Sequence, residues 1–207
     1  MRYSAEHKAR THNKIVAEAA RLLRRDGIEG VSVAGVMREA GLTHGGFYAH
    51  FPSKDAMLPE ALEAAFAQTL ARLRSAAAAH RQPLQQLDAV LAAYLSEAHR
   101  DRPEVGCPGA ALGPELARMG GACEARFEQG LEDVVGILQP MLAREEDARE
   151  VAIGIISLML GALVAARAVR SKPLSNEVLR TARHCALRLA AGHAAPRRRS
   201  RGAAPQR

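Results

Sequence analysis

The run Thr43-His44-Gly45-Gly46-Phe47-Tyr48-Ala49-His50, with Lys54 close behind it, gathers side chains that suit contact with a polyanion. Thr43, His44, Gly45 and Gly46 would open a short helix with small or polar groups, so that the backbone can come close to a partner. Amides at a helix N-terminus are natural phosphate donors. Tyr48, His50 and Lys54 add a phenol, an imidazole and an ammonium near the far end of the same element, and these suit phosphate oxygens. His50 also reads as a capping or packing residue, and Phe47 and Phe51 read as core.

The second candidate is Cys107, in Gly106-Cys107-Pro108. Proline suits the first turn of a helix, so the sulfur is expected at the positive end of a helix dipole, where a thiol ionises more readily than usual. That placement would serve a redox or electrophile sensor; an inert cysteine in a tight turn is the alternative. Cys123 and Cys185 read as packing residues, and three cysteines at unrelated spacings make neither a disulfide framework nor a zinc pattern. No Ser, Cys, His or carboxylate cluster has catalytic spacing, and the eight histidines show no metal-ligand pairing. The expectation is therefore not an enzyme, with no cofactor and no metal.

The elements that must position these residues are helices. In the first, Ile15, Ala19, Leu22 and Leu23 form an apolar face, with Lys14, Arg21, Arg24 and Arg25 elsewhere around the turn and Gly27 as its end. Ser32 is expected to cap a second helix that stops at Gly41. Thr43 is expected to cap a third, over 44–49, which Pro52 stops, and Ser53 caps a fourth. Two short helices joined by a tight turn and packed on a longer one make a helix-turn-helix, whose second element lies in the major groove of DNA. Beyond it, periodicity predicts helices over 54–80, 83–102, 110–119, 124–143 with a kink at Pro140, 149–169 and 176–191, with breaks at Gly120-Gly121 and Lys172-Pro173. The fold class is all-α.

Charge is unevenly placed. Residues 1–54 carry nine Lys and Arg against five Asp and Glu, residues 55–192 fifteen against seventeen, and residues 193–207 five Arg and no acid. The tail reads as a disordered solubilising end or as a DNA-binding arm. The N-terminus lacks the apolar core of a signal peptide, which argues for a cytoplasmic protein. Residues 151–166 are uncharged, yet fall short of the roughly 20 residues a membrane span needs, so a buried helix and no membrane partner are expected. On that helix Gly154, Ser157, Gly161 and Ala165 place small residues on one face, which suits close helix contact between subunits or within one.

Residues 13–57 resemble the DNA-binding domain of the tetracycline-repressor (TetR/AcrR) family of transcriptional regulators. The resemblance rests on I-x-x-x-A-A-x-L-L in the first helix, G-x-x-x-x-S before the second, and the run G-L-T-x-G-x-F-Y-x-H-F-x-S-K-D. It implies that Ser32 and Thr43 occupy capping positions that meet phosphate, that His44 and Gly46 fall where family members contact bases, and that Tyr48, His50 and Lys54 grip phosphates. His44 stands where Lys or Arg is frequent, and Gly46 replaces a small side chain, so direct base readout is expected to be sparse. The resemblance further implies a helix-turn-helix DNA-binding domain over 1–52 and a helical effector-binding and dimerisation domain over 53–192, and composition adds a disordered basic tail over 193–207. Its expected partners are double-stranded operator DNA, a second copy in a homodimer and an unknown small-molecule effector. The expected role is a repressor released from a palindromic operator by a small molecule or an electrophile.

Overall fold

The computed structural model describes residues 5–142 and 147–193; the basic tail assigned above lies outside them, apart from His193. Among the described residues every regular element is helical.

Helix α1 (Ala5–Gly30) buries Ile15, Ala19, Ala20, Leu22 and Leu23. Gly27, at φ 76° and ψ 175°, breaks its regular course where the sequence predicts an end, a conformation that L side chains rarely adopt. Arg24 departs from expectation. It follows Ala20 by one helical turn and points inward, with 3% of its surface exposed.

Ser32 caps α2 (Val33–Glu39), its hydroxyl accepting from the Gly35 amide at 3.1 Å, and Gly41, at φ 65°, turns the chain out of it. The next element, His44–Ala49, is a 3-10 helix rather than an α-helix, and the Thr43 side chain makes no cap bond. Bonds from i+3 to i mark it, from Gly46 to Thr43 and from His50 to Phe47, and the Phe51 amide adds an i+4 bond to the Phe47 carbonyl at its end. Its few residues include two glycines, which favour helix least after proline.

Ser53 does cap α3 (Lys54–Ala78), accepting from the Ala56 amide at 3.2 Å. Met57 to Phe66 of α3 join α1, Phe47 and Phe51 in one apolar cluster, while Leu70, Leu73 and Ala77 belong to a second. Packing therefore does not divide at residue 52: α3 runs through both cores.

The second cluster is built by α4 (Pro83–Tyr94), α6 (Pro108–Met119), α7 (Gly121–Leu138), α8 (Ala148–Ala168) and α9 (Lys172–His193). The single helix expected over 83–102 is split. The Ser96 hydroxyl bonds the Ala93 carbonyl and the His99 amide, and His99 Nδ1 bonds the Tyr94 carbonyl, so side chains take over backbone groups that a continuous helix would use. A short α5 (Glu97–Asp101) follows, then a 3-10 turn (Pro103–Val105). Likewise Pro140 sits in a 3-10 turn (Gln139–Met141) rather than in a kinked helix. Pro173 lies in the first turn of α9, whose Leu174 amide approaches the Ser171 hydroxyl, instead of separating two helices. The apolar helix α8 is buried on one face only: Ala152, Ile155, Ile156, Met159 and Leu163 are inside, while Ile153 and Val164 are exposed. By length and composition alone α8 would be able to cross a membrane, but its inner face packs on the protein core.

Candidate nucleic-acid interface

Phe47 is the anchor of the recognition element. It is fully buried and stacks on Phe51 with centroids 5.5 Å apart, a burial worth about 1.5–3 kcal/mol. With Phe47 inward, Thr43, His44, Gly45 and Tyr48 face outward, and Tyr48 keeps 60% of its surface exposed. Tyr48 packs edge-on against Phe47 at 5.4 Å and His44 at 6.0 Å, which holds the phenol upright. A side chain added at Gly45 would meet nothing within 4 Å, and at Gly46 only ordinary contacts with Thr43 and Met37. Neither glycine is demanded by packing within the chain.

The remaining expected contact residues are engaged differently. Ser32 is exposed, with its hydroxyl committed to the α2 amide. His50 is half-buried and its Nδ1 is enclosed without a hydrogen-bond partner; burial lowers its pKa, and His12 and Lys8 add to that. Lys54 Nζ donates to the Ile28 carbonyl at 2.7 Å, so it closes the end of α1 onto the start of α3. The sequence reading missed the first turns of α1, where Lys8 and Thr11 line an open groove of about 430 Å3 together with Thr43, Gly46 and His50.

Cys107 is found where its proline implies, immediately before α6, but it is buried at 4% exposure rather than open. Cys123 is buried as expected; Cys185 is exposed on α9, so packing does not account for it. Around Cys107 lies a constellation that periodicity did not reveal. The Gly106 carbonyl accepts long bonds from Arg24 and Thr69, both at 3.4 Å. The Cys107 amide donates to His99 Nε2 at 2.9 Å. Since Nδ1 must carry the proton to bond the Tyr94 carbonyl at 2.7 Å, His99 is neutral, and burial drives its pKa down to about 4. Arg167 donates to the carbonyls of His99 and Arg100. Tyr94 is 4% exposed and its hydroxyl lacks a hydrogen-bond partner; burial, reinforced by the neighbouring Cys107, pushes its pKa well above the ordinary range. Beside these residues opens a cavity of about 210 Å3, lined by Thr69, Arg72 and Leu73 of α3, Tyr94, His99 and Val105 among others.

Residues 15–61, which hold α1 from its first buried residue through the recognition element and into α3, match the model for bacterial regulatory proteins of the tetR family. Over these residues the chain carries a DNA-binding region of the tetR-family type. The helix-turn-helix at its N-terminal end is accordingly that of DNA-binding transcriptional regulators. No curated protein sequence matches the chain. Similar solved structures include NemR from E. coli in a reduced form, with 21% identity over 86% of this chain and 95% of that one and a TM-score of 0.73. A TetR regulator from Chloroflexus aurantiacus has 23% identity, coverage of 88% and 95%, and a TM-score of 0.75. One from Cytophaga hutchinsonii has 21%, 93% and 98%, and 0.74. These likenesses extend the shared fold over the helical body that the family model leaves unmatched.

Proposed function

We propose that this tetR-family chain is a homodimeric, cytoplasmic repressor that occupies a palindromic operator and leaves it when a small molecule or an electrophile acts on its helical body. The observation that carries this reading is the recognition element itself: Phe47 is locked in the core, while His44, Gly45 and Tyr48 form an unobstructed outer face. That two glycines occur where packing asks for none supports a close approach by the DNA backbone. His44 and Gly46 are then the base-edge positions, and Ser32, Thr43, Gly45, Tyr48, His50 and Lys54 the phosphate-facing ones. For Lys54 this means leaving, or sharing, the Ile28 carbonyl.

In this reading residues 1–52 bind DNA, with the start of α3 as their support, and residues 53–192 take the effector and form the dimer. The partner copy would cover the open faces of α8 and α9, where Ile153, Val164, Leu174 and Leu189 are exposed. Selection of bound sequences from a random pool of duplexes, followed by footprinting and light scattering, tests the whole proposal. A two-fold symmetric footprint held by a dimer is expected, together with lower transcription from a promoter carrying it. A monomer, or protection without sequence preference, would refute it.

A thiol-directed electrophile is a second reading, motivated by one specific observation. Cys107 stands at the start of the twelve-residue helix α6, its amide bonded to His99 beside the cavity. The check is operator release by a mild alkylating agent from wild type and Cys107→Ser. Equal release by both would leave Cys107 a structural residue.

A further inference from the structure

We infer that the cavity between α3, the end of α4, α5 and the turn Pro103–Val105 takes a small organic carboxylate with an apolar body, and that Arg72 is its counter-charge. The inference rests on the effector-responsive reading for its consequence, though not for the site.

Charge is the first argument. Arg24, Arg72 and Arg167 converge on the Gly106-Cys107 peptide, and among the described residues none of them has a carboxylate partner. Arg24 and Arg167 spend their hydrogen bonds on the Gln68 side chain and on backbone carbonyls. Arg72 has a single bond, to Thr69 Oγ1 at 3.3 Å. The acid of this neighbourhood, Glu104, already pairs with Arg102 at 3.3 Å. Arg24 is buried and Arg167 half-buried, so their unpaired charge is costly, while Arg72 is exposed at the cavity and open to an incoming anion.

Unused polar atoms are the second argument. Arg24 Nε and the Tyr94 hydroxyl are both buried and unpartnered, and Tyr94 forms part of the cavity wall. His99 is held neutral by its two backbone bonds, so it adds no charge that would call for a dianion. The third argument is shape. About 210 Å3 exceeds the roughly 150 Å3 that accommodates benzene in an apolar cavity, and Leu73, Val105 and the Tyr94 ring supply apolar wall. One free guanidinium beside an apolar recess matches one carboxylate on a small hydrocarbon body, since a planar fork pairs with two carboxylate oxygens.

Titration calorimetry of the full chain with benzoate, phenylacetate and hexanoate, each against its neutral amide, tests this. At least one acid is expected to bind about tenfold or more tightly than its amide, and to lose that margin in Arg72→Met. Tyr94→Phe is expected to fold normally and to weaken acid binding several-fold. No acid binding in the low millimolar range, equal binding of acid and amide, or full acid affinity in Arg72→Met would each overturn the inference. Operator release is read separately: acid binding without release establishes the site while refuting its role as the effector site.

Discussion

Tyr48 shows how little the protein itself asks of a residue proposed to meet DNA. Its ring is propped by Phe47 and His44, and its hydroxyl points away from the core. Tyr48→Phe is therefore expected to leave thermal unfolding unchanged while lowering affinity for operator and random duplex alike. A loss confined to the operator would assign Tyr48 to base reading instead. Lys54→Ala should differ by costing stability too, about 1 kcal/mol for the Ile28 carbonyl it abandons, and should reduce the salt dependence of DNA binding by about one unit of slope. His99 carries a residue-scale prediction about pH. Its pKa is about 4 in the folded chain, against about 6.5 when unfolded. The unfolded chain thus takes up the proton first, so the stability is full above pH 6.5 and is lost as the pH falls toward 4. The loss is on the order of 3 kcal/mol. Urea unfolding at pH 7.5 and 4.5 should show a smaller pH difference in His99→Gln than in the wild type.

At the scale of elements, the tightest glycine contact among the described residues lies between α3 and α7. A Cβ at Gly130 would lie 2.4 Å from the Phe66 ring, an impossible contact for a ring packed in the core. Gly130→Ala is expected to destabilise by about 1–3 kcal/mol. Gly136→Ala, on the same helix with nothing within 4 Å, should instead stabilise by roughly 0.5–1 kcal/mol; chemical denaturation of the two variants decides. These cases also mark what the sequence could tell. Ser32, Ser53, Gly27 and Gly41 were legible because caps and left-handed turns are local chemistry, and Phe47 because an aromatic anchor in so short an element has only one place to go. Arg24 was misplaced because charge alone argues for solvent, although its i+4 spacing from Ala20 argued for the core. The break after Tyr94 and the role of Gly130 depend on His99 and Phe66, which no periodicity within one helix reveals. The cavity was illegible for the same reason: its walls come from α3, α4, α5 and the turn before α6.

For the whole molecule, the open question of the small-residue stripe on α8 separates into two parts. Gly154 faces Leu189 of α9, whose Cδ2 would lie 3.2 Å from an added Cβ, and so serves packing within the subunit. Gly161 meets nothing within 4 Å and lies with exposed Ser157, Val164 and Ala165 on the outer face. Gly161→Glu and Val164→Glu are expected to yield a folded monomer by light scattering and to lower operator affinity steeply, because two half-sites then lose their shared partner. Retention of the dimer would move the interface elsewhere. The segment between α4 and α6 has a further consequence. Arg24, Thr69 and Arg167 hold it by its own carbonyls, His99 by the Cys107 amide, and Glu115 of α6 accepts the Ile28 amide at 2.7 Å just beyond the break in α1. The linkage from cavity to DNA-binding helices thus runs largely through main-chain atoms that every residue possesses. If the cavity takes the effector, as proposed, descendants of this chain can exchange Val105 or Arg102, and with them what it accepts, while keeping these main-chain contacts intact.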